Sequence, residues 1–68
     1  MVWRFVRGDE TLTCTLIRER GSLPYRLVVE RPDQPEVVER IEQPTELVKR
    51  TSALVNALLT DGWDLLGA

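Results

Sequence analysis

The side chains able to carry covalent chemistry reduce to one thiol, Cys14, because the sequence holds a single cysteine and no histidine. A thiol becomes a nucleophile only where a base or a positive field ionises it. Leu12 and Leu16 lie two positions to either side. On a strand they share the face of Cys14 and surround it with hydrocarbon. The expectation is a buried, inert thiol. A lone cysteine also rules out an intrachain disulfide, and without histidine there is no Cys/His zinc set.

Acid–base catalysis or a divalent cation would need converging carboxylates. The acids fall mostly in turns (Asp9, Glu10, Asp33) and along residues 36–46 as Glu36, Glu39, Glu42 and Glu46. That placement reads as a solvated surface. Calcium-loop spacing, a phosphate-binding glycine loop and a dinucleotide fingerprint are all missing. No metal, cofactor or catalytic residue is therefore expected, and the chain reads as non-enzymatic. Arg7–Gly8–Asp9 spells an adhesion tripeptide, but Gly–Asp between two apolar-rich runs reads as a hairpin turn.

The arginines remain. Eight of the nine basic residues are arginine, which favours planar, bidentate contacts over diffuse positive charge. Residues 1–31 carry six arginines against four acids, whereas residues 32–68 carry three basic groups against seven acids, for a net charge of −2. An acidic balance argues against nucleic acid, whose non-specific affinity comes from clustered positive charge.

The elements that position these groups follow from periodicity. Val2 to Arg7 reads as a first strand, ended by Gly8–Asp9. Glu10 to Arg18 is a second, with Leu12, Cys14 and Leu16 alternating with Thr11, Thr13 and Thr15. Ile17 breaks that alternation, and a bulge or twist is expected near it. Glu19 to Leu23 turns on Gly21–Ser22. Pro24 to Arg31 is a third strand, and residues 31–35 form a proline-framed turn. Glu36 to Ile41 reads as a fourth, edge strand, with an early helical turn as the competing assignment. Pro44 then starts a helix at its first position, with Glu46 in the favourable first turn. Leu47, Thr51, Leu54, Val55 and Leu58 recur at three- and four-residue spacing, and Val48 and Leu59 widen the stripe. Gly62 ends it in a left-handed cap, with Trp63 folding back on the last turn. Asp64 to Ala68 is a short tail placed to lie along the sheet through Leu65 and Leu66.

The predicted fold class is α+β: one domain over residues 1–68, an antiparallel meander of three to four strands with one C-terminal helix packed on one sheet face. The covered face holds the rings of Trp3, Phe5 and Tyr25, with Leu12, Cys14, Leu16, Leu27, Val29, Val37 and Ile41. The uncovered face displays Val2, Arg4, Val6, Thr11, Thr13, Thr15, Arg26, Val28, Glu30, Val38 and Arg40. Arg4, Thr13, Arg26, Val28 and Arg40 are its candidate binding residues. Three uses fit: a solvated face, a homodimer or other protein interface built on the valines, or a grip on a single nucleic-acid strand. The third wants aromatic stacking platforms, and here the rings point inward.

Strands followed by one helix in so small a chain resemble, in the order of elements, the single-stranded-DNA-binding transcriptional coactivators and the Whirly-type folds. That resemblance implies oligomers that bind nucleic acid on the sheet. The acidic charge and the inward aromatics depart from it, and it carries no site residue. A chain of 68 residues has a thin core, which good packing or a second subunit must supplement. No signal peptide is legible at Met1–Phe5, no run is long enough to span a membrane, and the lone thiol suits a reducing compartment. The expected location is the cytoplasm.

Overall fold

Alternation and tight turns build the sheet. The computed structural model, which describes residues 1–18 and 24–67, has strands β1 (Val2–Arg7), β2 (Glu10–Arg18), β3 (Tyr25–Arg31) and β4 (Gln34–Ile41). Helix α1 (Pro44–Thr60) and strand β5 (Asp64–Gly67) follow. The strands form one sheet in the order β4-β3-β2-β1-β5, and every pairing is antiparallel. The α+β meander with one C-terminal helix is therefore present. Residues 36–41 are strand, which removes the helical alternative.

Local chemistry explains the connections. Arg7 pairs with Glu10 across Gly8–Asp9, and Gly8 has φ +60° while among the described residues no non-glycine is left-handed. That combination is the two-residue II′ hairpin, whose twist matches its strands. Arg31 pairs with Gln34 across Pro32–Asp33, where proline favours a type I turn. Such a turn splays a hairpin, and the register shifts just beyond it, between Val29 and Arg31, as a bulge that restores the twist.

Several sequence expectations need correction. The bulge foreseen near Ile17 is not there: β2 and β3 stay in register through Arg18, and Ile17 simply lies on the open face. The described bulges are in the β3–β4 and β1–β5 pairs. β4 starts at Gln34 rather than Glu36, because the two-residue turn leaves those residues free to pair. Pro24 precedes β3 rather than opening it. The tail is a true strand, β5, hydrogen-bonded to β1. Val48 and Leu59 stay outside the buried stripe, 67% and 49% exposed, because one helix on one sheet buries only a narrow face. The Glu19–Leu23 turn lies outside the described residues.

The core gathers Phe5, Leu12, Cys14, Leu58 and Trp63, with Trp3, Val29, Leu54 and Val55 packed around them. The helix closes with a complete Schellman motif. The Trp63 N–H donates to the Leu58 carbonyl at 3.0 Å and the Gly62 N–H to that of Leu59 at 3.2 Å. Gly62 reverses the chain at φ +90°, which drops Trp63 into the core at 1% exposure.

Trp63→Ala is expected to cost about 3–5 kcal/mol, as much as the whole stability of about 5 kcal/mol at the low end for small domains. Urea titration followed by circular dichroism should find it largely unfolded. Gly62→Ala meets only Arg7 Cδ at 3.7 Å, an ordinary contact, so its cost is the left-handed backbone alone, about 1–2 kcal/mol. A tryptophan variant as stable as the parent would refute this account of the core.

Candidate functional site

Two groups of side chains are drawn together, one structural and one open to a partner. The structural group centres on Arg7. Its guanidinium donates to the Asp61 carbonyl at 3.1 Å, to the Asp61 carboxylate at 2.8 Å and to Glu10 at 3.2 Å. It also lies 4.6 Å from the centre of the Trp63 ring, and the Arg31 guanidinium lies 5.5 Å from it. Arg7 thus ties the first hairpin to the C-terminal end of α1, while Gly8 and Asp9 form its exposed turn. The Trp63 indole N–H is buried without a hydrogen-bond partner among the described residues. Sequence reading missed this cluster because Arg7 and Asp61 are 54 positions apart.

The open group follows from register. Directly paired residues project on the same side of a sheet, so the pairings lay out rows on the face away from α1. One row runs Val2–Thr15–Val28–Val38, a second Arg4–Thr13–Glu30, and a third Ile17–Arg26–Arg40. All five candidate residues therefore share one face. Val28 is only 7% exposed while its neighbour Val38 is 50% exposed. Val28 is the floor of that row, and Val38 at the sheet edge is its exposed end. Thr13 is half-buried between Arg4 and Glu30.

The bulge adds a residue that sequence reading did not place on this face. Between the pairs Val29↔Val37 and Arg31↔Gln34, β4 has one residue more than β3, so Pro35 and Glu36 both lie opposite Glu30. The outer strip of the open face thus carries Glu30 and Glu36, then Val28 and Val38, then Arg26 and Arg40. Acid, apolar and basic pairs follow each other along two strands. The signal in the sequence was the alternation Glu36–Val38–Arg40.

On the helix side, a trough of about 500 Å³ opens between α1 and the β3–β4 strands, floored by Leu27, Val29 and Leu54. The Glu39 carboxylate accepts from Arg50 across it at 2.7 Å. Glu42 pairs with Arg40 at 3.5 Å, and Glu46 with Lys49 at 3.9 Å. These acids are splayed among separate partners. Among the described residues no group of three or more potential ligands could hold a metal ion, and no helix is long and apolar enough to cross a membrane. Cys14 is 1% exposed, and burial pushes its thiol above the ordinary value. Trp3 pairs with Cys14 and Tyr25 with Ile41, both on the face under α1, so the arginine face has no stacking platform from them.

No family model, curated protein or solved structure matches the chain. The geometry must carry the functional reading.

Cys14 supplies a direct check. A soluble disulfide reagent should label it only as fast as the protein unfolds, and at once in denaturant. Its raised value means the fold favours the neutral thiol. That contribution is complete below the ordinary thiol value of 9.0 and is lost as pH rises from there through the folded value. Urea midpoints should therefore fall above pH 9 in the parent and less in Cys14→Ala. Rapid labelling of the native protein would show the thiol to be accessible.

Proposed function

We propose that this chain is a non-enzymatic protein-contact module that works by self-association through the sheet face α1 leaves bare. The observation that carries this is the valine row, whose inner member Val28 is packed and whose outer member Val38 is half exposed at the sheet edge. An apolar strip of that kind, flanked by charge of both signs, is what a self-complementary interface requires. A thin core also gains most from further burial. The inert thiol and the carboxylates dispersed among separate partners support a binding role over a chemical one. The lone buried thiol fits work in the reducing cytoplasm.

A nucleic-acid role draws on the neighbouring Arg26 and Arg40. The acid pair four residues away along each strand and the inward Trp3 and Tyr25 weigh against it.

Sedimentation equilibrium of the full chain should show dimer at high micromolar concentration. Val38→Asp should weaken it by about tenfold or more without changing the circular dichroism. Single-stranded oligonucleotides at low salt should give no gel shift at about ten micromolar, the middle of the range of ordinary non-specific affinities. A monomer, or a clear shift, would overturn the proposal.

A further inference from the structure

Taking self-association as the premise but placing the contact at the edge of the bare face, we propose that the partner is a second copy of this chain joined edge to edge, β4 against β4 in antiparallel, with the two-fold axis midway between the two Val38 residues. β4 is a sheet edge with β3 on one side only, so its outer backbone groups are free to continue the ladder. Residues 37–41 of β4 hold regular register with β3, and Glu36 begins that stretch beside the bulge.

Charge selects the register. A half-turn about an axis normal to the sheet, midway between the two Val38 residues, sets Glu36 opposite Arg40 of the second copy, and Arg40 opposite its Glu36. The acid end of each outer strip meets the basic end of the other, and the valine row runs unbroken through both copies. Among the described residues Glu36 makes no ion pair, while Arg40 holds only the long, exposed contact to Glu42 at 3.5 Å. On the helix side, Val37, 62% exposed, falls opposite Glu39 of the second copy. The methylenes of that glutamate would cover it while Arg50 keeps the carboxylate.

Neighbouring registers are worse. Sliding by two residues sets Glu39 against Glu39 in one direction and Glu36 against Val38 in the other. Sliding by one puts the helices on opposite sides of the joined sheet. It then sets Glu36 against Glu39, or leaves the charges facing apolar residues. A blunted edge is normally protected by like charge, whereas Glu36 and Arg40 are spaced to attract a copy of themselves. The opposite edge, β5, has four residues, Asp64–Gly67, and a shifted register, so it offers a poorer ladder.

The test is a charge exchange read by sedimentation equilibrium of the full chain, with circular dichroism confirming that these exposed substitutions leave the fold intact. Glu36→Arg and Arg40→Glu should each weaken the homodimer by about tenfold or more, since each places like charges opposite one another twice. Mixed in equal amounts, the two variants should form a heterodimer of parental strength, and the double variant should recover its own. Val38→Cys should cross-link to completion on mild oxidation, because the only other thiol, Cys14, is buried. A parental dimer that ignores all the charge changes and leaves Val38→Cys uncrossed would sink the edge model while sparing open-face association. A parental monomer at high micromolar concentration would end both.

Discussion

The seating of one indole holds this architecture together. A lone helix on a thin sheet has few large side chains with which to exclude water, and the largest, Trp63, comes from outside the helix. It reaches the core only because Gly62 adopts φ +90° and turns the chain back under the last turn. The same reversal aims the following residues at β1, where they pair as β5. Arg7 then closes the corner by binding the cap residue Asp61 while lying against the ring. Sequence, cap geometry and core packing meet at that point. A side chain without the indole's area would loosen helix and final strand together.

The polarity of the bare face has an equally local origin. Along β3, Arg26 and Glu30 are four residues apart, and along β4, Glu36 and Arg40 are as well. On a two-residue period, both charges of each strand project to one side with a valine between them. Antiparallel pairing would ordinarily set acid against base. Here it brings like with like, because Arg26 pairs with Arg40 and Glu30 is met by Glu36 at the bulge. Within one chain that arrangement is unfavourable. It becomes favourable when a complementary strip is laid beside it.

The parts of this fold that were legible in the sequence depend on short spacings. The four strands, the helix start at Pro44, the cap at Gly62 and the burial of Cys14 follow from alternation, from proline's fixed φ and from the periodicity of α1. Features that depend on distant partners were not legible. Leu65 and Leu66 announce an apolar tail, but only the β1 edge makes it a strand. Arg7 reads as a turn residue until Asp61 arrives from the far end of the chain. The bulge came from a turn type that disagrees with sheet twist, and it displaced the anticipated irregularity from Ile17 to the β3–β4 pair. Alternation alone put Arg4, Thr13, Arg26, Val28 and Arg40 on one face, as the register also does. Glu36 and the ordering into acid, apolar and basic pairs needed the register.

The last strand docking on the first also bears on kinetics. The β1–β2 hairpin closes over two residues, whereas β5 must wait for the whole meander and α1 before its partner is in reach. Such late contacts are the ones a native chain surrenders first during partial opening. Amide exchange is therefore expected to be graded, with β5 giving up its protons ahead of β2 and β3, and uniform protection would contradict that order. Each such excursion strips one flank of β1 and bares a fresh ribbon of backbone beside Phe5. The protein's most vulnerable moment for clumping lies there, at the seam between its beginning and its end.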